Sequence, residues 1–277
     1  MGPSRNVSIL LIVPALLVVA VLFVYPLGFS LVGAFQDKQS AWTLANFGRA
    51  WELYRLDTAF TLVIIFVSCL LIALFSIAIG GYLTLGESRV AKAILGFVYR
   101  WPLFIPFIVA AQCMRTFLAR NGTMNMTLVY FGIIDLESAQ SFLDWRGIVL
   151  TFVWKQTPFV ALMVAGAMGG LDRSTIEAAR NLGASRLRIL VEILVPQVSR
   201  TLAVGLVLSF VTMMSVLSVP LMLSGQSPSM LTVNMAWRIN SVGDYGTANA
   251  LGFVSYLMTG FAAWFYLRHG LREKGAQ

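Results

Sequence analysis

Side chains able to do covalent or metal chemistry are scarce in this chain, and the scarcity narrows its function. The one histidine, His269, stands beside Arg268 and near Arg272, so it reads as part of a juxtamembrane basic cluster and not as a ligand. The two cysteines, Cys69 and Cys113, lie in separate apolar stretches and make neither a metal-binding spacing nor a disulfide framework. Carboxylates are almost absent from the apolar runs, which leaves a membrane-embedded enzyme without an acid–base pair. No G-x-x-x-x-G-K-S/T phosphate loop occurs, so nucleotide chemistry is not expected on this chain.

What remains is one lysine, one polar stripe and one patterned loop. Lys155 is the single ionisable residue well inside an apolar stretch. A charge at the bilayer centre costs at least ~2.5–3.5 kcal/mol on the insertion scale, so it needs a cavity or a partner. Two arrangements satisfy that need: Lys155 lines a pathway or gate, or its ammonium snorkels to the nearby outer interface. Its neighbour Trp154 suits either a pathway wall or an interfacial aromatic belt. Further on, Ser209, Thr212, Ser215 and Ser218 recur every three residues beside Met213 and Met214. This stripe suits a mildly polar translocation surface, or close helix packing with hydroxyls bonding across.

The loop runs from residue 172 to 199. Ser174-Thr175-Ile176-Glu177 reads as a capping box opening a short helix. Gly183 stands where such a helix ends in a left-handed turn. A second helical stretch follows, roughly 185–194, and Pro196 limits its extension. Ala178 and Ala179 leave one face nearly bare, so another surface can approach closely.

These features need elements to hold them, and composition says which. The 277 residues are 58% hydrophobic and only 12% charged, against roughly 25% charged in soluble domains. Six stretches approach the ~20 apolar residues that span a bilayer as helix, namely 7–35, 59–85, 101–118, 147–171, 202–224 and 248–267. Pro102 and Pro106 interrupt the third. The first is longer than the apolar core of a signal peptide and reads as an uncleaved span. The predicted fold is all-α, a single transmembrane domain over residues 1–277.

The net charge of +8 is explained by placement. With the N-terminus inside, the inner segments hold Arg5, Arg89, Lys92, Arg100, Arg173, Arg180, Arg186, Arg188, Arg200, Arg268, Arg272 and Lys274. The outer segments 36–58, 119–146 and 225–249, with their edges, hold Lys38, Arg49, Arg55, Arg115, Arg120, Arg146 and Arg238. Twelve against seven puts both termini and the 172–199 loop in the cytoplasm. Nucleic acid is not needed to account for the charge.

The segment Glu177-Ala178-Ala179-Arg180-Asn181-Leu182-Gly183-Ala184, then Ile193-Leu194-Val195-Pro196 after a nine-residue gap, resembles the EAA loop of binding-protein-dependent ABC importer permeases. Val195 stands where that pattern has Leu. Three further segments are similar to the same family and fall in its order: Trp154 to Phe159, Ser218 to Gly225 and Asp244 to Ala250, with Thr43 to Phe47 ahead of them. The resemblance implies the type I importer permease fold, with six spans, in a bacterial inner membrane. It also implies two cytoplasmic ATPase subunits carrying ATP and magnesium, a second permease subunit, identical or homologous, and an external binding protein. This chain would take no cofactor, and Glu177, Ala178, Ala179, Gly183 and Ala184 would contact the ATPase. The Pro-Leu-Met-Leu-Ser-Gly end and the length lean towards polyamines, other organic cations, ferric iron or aminophosphonates. Sugars are the alternative substrate, and a secondary transporter or channel is the alternative class.

Overall fold

The computed structural model describes residues 5–37, 39–224 and 226–270, with side chains from residue 12 to residue 264. Lys38, Gly225, Arg272 and Lys274, and the side chains of Arg5, Arg268 and His269, lie outside the described residues. The chain is helical, and among the described residues the one extended pairing is an isolated bridge between Gln36 and Trp42. Its helices are α1 (Arg5–Val19), α2 (Tyr25–Ala34), α3 (Ala45–Leu85), α4 (Arg89–Val98), α5 (Phe107–Leu118), α6 (Thr123–Tyr130) and α7 (Trp145–Gly169). They continue as α8 (Arg173–Asn181), α9 (Arg186–Ile189), α10 (Val195–Ser215), α11 (Ser218–Leu223), α12 (Leu231–Trp237) and α13 (Tyr245–Gly270).

Four helical runs are long and apolar enough to cross a bilayer: Ile12–Ala34, Ala45–Leu85, Trp145–Gly169 and Arg186–Ser215. A fifth crossing arises if Arg89–Phe104 and Phe107–Tyr130, bent by 108° at their junction, form one broken span. The sixth predicted stretch is helical as α13 but does not join that set among the described residues. Among the described residues, four or five of the six expected crossings are thus long and apolar enough to span.

Proline explains two of the boundary differences. A proline inside a helix clashes with the carbonyl four residues back and lacks an N–H. Before Pro26 and before Pro196 the chain answers with a π turn, Ala20–Val24 and Leu190–Leu194. There Tyr25 N–H donates to Ala20 O and Val195 N–H to Leu190 O. The wider turn makes room for the ring, and the helix goes on. Pro196 therefore does not end the second loop helix, as the spacing predicts, but lets it run into α10. The fifth predicted stretch, 202–224, is likewise divided, because α10 stops at Ser215 and α11 begins at Ser218.

Contacts divide the chain into two compact units, one of residues 1–56 with 234–257, the other of residues 57–233 with 258–277. In the first, Asn46 is 5% exposed and its amide donates to Ala34 O at 3.1 Å and Gln36 O at 2.8 Å. Phe35, Phe47 and Phe253 of the same unit meet one another in tilted and edge-to-face contacts with ring centroids 4.8–5.5 Å apart. Gly246 approaches Asn46 so closely that a Cβ would lie 2.8 Å from its amide. The segments around residues 43–47 and 244–250 thus share one core. The predicted outer loop 36–58 is helical from Ala45, whose N–H is met by Thr43 Oγ1 at 3.0 Å.

In the second unit α7 is the spine. Fourteen of its 25 residues are buried, as expected of a helix that is apolar all round. Small residues bring its neighbours close: a Cβ on Gly205 of α10 would lie 3.2 Å from Val160, and one on Gly80 of α3 would lie 3.1 Å from Val164. The expected inside loop 86–100 is mostly α4, capped by Ser88 Oγ accepting from Ala91 N–H at 3.2 Å.

Candidate coupling loop and the buried lysine

The 172–199 loop is built from local rules. Asp172, not Ser174, is the N-cap of α8: its carboxylate accepts the Ser174 N–H at 2.9 Å and the Ser174 hydroxyl at 2.6 Å. The capping box predicted between Ser174 and Glu177 is therefore replaced, because a carboxylate two residues earlier accepts an orphan N–H of the first turn and suits the helix dipole. Those hydrogen bonds from Ser174 hold the Asp172 carboxyl below its ordinary value. Glu177 is left exposed.

At the other end Gly183 has φ +79°. Its N–H donates to Arg180 O at 2.9 Å and the Ala184 N–H to Ala179 O at 3.0 Å. This crossed pair closes the last carbonyls of α8 in a left-handed glycine turn. Ser185 then caps α9, accepting the Arg188 N–H at 3.3 Å. Of the five residues implied to contact an ATPase, Ala179 and Ala184 pack against the core, while Glu177, Ala178 and Gly183 face outward. Leu182, 89% exposed, and Leu187 stand beside them as bare apolar side chains. Their signal in the sequence is a large apolar residue on each side of the glycine turn.

The loop is tied to the corner between α3 and α4. Arg180 donates to Leu85 O at 3.4 Å, and Arg186 pairs with Glu87. Both partners of that ion pair are more than half exposed, so its worth is about 0–1 kcal/mol. A cleft of about 350 Å³ lies under α8, lined by Gly86, Lys92, Met168, Arg173, Ile176 and Glu177 among others.

Lys155 sits ten residues into α7, about 15 Å from its start at 1.5 Å per residue. It is 6% exposed. Its ammonium donates to the carbonyls of Pro102 and Ile105 and lies 5.0 Å from the centre of the Phe107 ring. Snorkelling is thus not the arrangement adopted. The other five pathway candidates are dispersed. Trp154 borders an apolar cleft with Cys113 and Phe117. Ser209 and Met213 are fully buried. Thr212 donates its hydroxyl to Leu208 O at 2.8 Å, and the exposed Ser215 to Thr212 O at 2.9 Å.

Four or five helical runs able to cross a bilayer, with a capped two-helix loop between two of them, describe a multi-pass membrane protein. Residues 76–267 match the family described as the binding-protein-dependent transport system inner membrane component, and the chain belongs to that family. It is similar to the sulfoquinovosyl glycerol transport system permease protein SmoG of Agrobacterium fabrum, with 28% identity over 96% of this chain and 90% of that one. The spermidine/putrescine transport system permease protein PotB of Escherichia coli is 29% identical over 34% of this chain and 35% of its own. In fold the chain resembles one from the crystal structure of a bacterial alginate ABC transporter in complex with an alginate pentasaccharide-bound periplasmic protein. That likeness has TM-score 0.81 and 19% identity, and covers 97% of this chain and 95% of the other. The chain is therefore a permease subunit of an ABC importer with the type I permease fold, and the secondary-transporter and channel alternatives fall away.

Proposed function

We propose that this chain forms half of the translocation pathway of a bacterial inner-membrane importer for a sugar or sugar derivative. The observation that carries the substrate class is the match along nearly the whole length to a permease named for a sulfosugar glycoside. The polyamine permeases match over 34–60% of this chain, against 96% for the sulfoquinovosyl glycerol permease, so the sugar alternative is better supported than the cationic substrates favoured by the sequence end motif. A second permease subunit, two ATPase subunits holding ATP and magnesium, and an external binding protein complete the assembly. Lipid surrounds the apolar faces.

Coupling is assigned to Glu177, Ala178 and Gly183 at the outward side of the loop, with Ala179 and Ala184 seating it. An ATPase closing on this surface pushes a rigid, capped helix and not a floppy segment. Differential contact in two states is what lets nucleotide bias the membrane helices. Both termini and the loop are placed on the cytoplasmic side. The arginine and lysine bias supports this, as does the contact of residues 85–87 with Arg180 and Arg186, two segments that the bias puts on one side. Thr212 and Ser215, at the less buried end of the stripe, are assigned to the translocation surface.

The test uses the assembled importer in proteoliposomes with its own binding protein. Sugar-loaded binding protein is expected to stimulate ATP hydrolysis several-fold, and spermidine to leave it at the basal rate. Stimulation by spermidine with none by any sugar overturns the substrate class. No stimulation through any binding protein overturns the coupling assignment.

A further inference from the structure

We propose that Lys155 is a tethered cation that holds the broken helix closed, a positioning residue for transport that touches no substrate. The break has a covalent origin. Pro106 has no N–H, so it cannot donate to the carbonyl of Pro102 four residues earlier, as a continuing helix requires. Residue 105, preceding a proline, is pushed to extended backbone, and Ile105 has φ −91° and ψ 121°. The short turn Trp101–Phe104 ends there and α5 starts afresh at Phe107 in a new direction.

Two carbonyls are left poorly served. Pro102 O receives only the 3.4 Å contact from Ile105 N–H. Ile105 O, in extended backbone outside α5, has no donor from that helix. Both accept from the Lys155 ammonium. The Phe107 ring, first residue of the new helix, lies 5.0 Å away and offers its negative face. No carboxylate pairs with Lys155 among the described residues.

The pocket is therefore a carbonyl cradle with an aromatic wall, a cation site whose occupant is supplied by α7. Carbonyls freed where a membrane helix is interrupted are suited to holding a cation. Here the cation is covalently attached, so occupancy does not vary with the ions outside. Satisfying backbone groups at such a break is what permits irregular chain among apolar helices. The role holds whichever solute is carried.

Chemical rescue tests this in the assembled importer. Lys155→Ala is expected to lower the melting temperature by several degrees and transport at least tenfold. Millimolar n-propylammonium is expected to recover a third or more of both, with no effect on the wild type. Wild-type melting and transport in Lys155→Ala would overturn the proposal. So would lost transport with unchanged melting and no recovery by the amine, the signature of a charge that acts on solute instead. Should Lys155→Ala not assemble, Lys155→Gln and Lys155→Met decide. Gln keeps two N–H donors for the carbonyls, so higher melting in Gln than in Met supports the cradle, and equal or lower melting overturns it.

Discussion

At Gly183 the backbone sits at φ +79°, yet nothing lies within 4 Å of where a Cβ would stand. A side chain there meets strain and no clash. Left-handed backbone costs an ordinary L-residue roughly 1–2 kcal/mol, and Asn tolerates it better than most. Gly183→Val is therefore expected to cut binding-protein-stimulated ATP hydrolysis at least tenfold with membrane expression unchanged. Gly183→Asn should keep most of it. An equal loss in both would contradict the backbone account, and full activity in both would remove the turn from coupling. Lys155 shows the limit of reading single residues. Its cost in a span, and the interruption at Pro102 and Pro106, are each plain in the sequence. That one resolves the other is a tertiary fact, since fifty residues of chain separate ammonium from carbonyl.

Among the elements, α8 hangs on one carboxylate. The Asp172 carboxyl lies below its ordinary value of 3.8 because Ser174 donates to it. A depressed folded value means the cap is fully present above the unfolded value and lost only as pH falls through the lower, folded one. Protection from amide exchange across residues 173–181, relative to the intrinsic rate at each pH, should hold from pH 7 down to about pH 4 and fall below it. Asp172→Asn should remove that dependence while keeping the helix, and an unchanged acid profile in that variant would exclude the carboxylate as its source. The loop was legible because its rules are local: a capping side chain, small residues, a glycine at the turn. The cap itself lies two residues earlier than the capping box predicts, since Asp and Ser are both good N-cap residues and only geometry chooses between them. The π turns were not legible, because a proline in an apolar run reads equally as an end or a detour. Nor was the helical start of α3 at Ala45: hydropathy marks where apolar residues begin, whereas a helix can extend beyond them.

For the whole molecule, the absence of a phosphate-cradling sequence predicts that the chain purified away from ATPase subunits turns over no ATP above a blank. Turnover that tracks this chain through gel filtration would overturn its place as the membrane component. Work done by ATP must then reach the bilayer from outside the chain, and the π turn at Leu190–Leu194 bears on how. Because the helix survives Pro196, Arg186–Ser215 is a single rod of 30 residues, about 45 Å long. That exceeds a hydrocarbon core of about 30 Å by roughly 15 Å, so an untilted rod would leave that much shaft clear of the lipid. A tilt of about ten degrees at the protruding end sweeps the far end through roughly 8 Å, given that length. Had Pro196 ended the helix, the same push would have been spent bending a hinge.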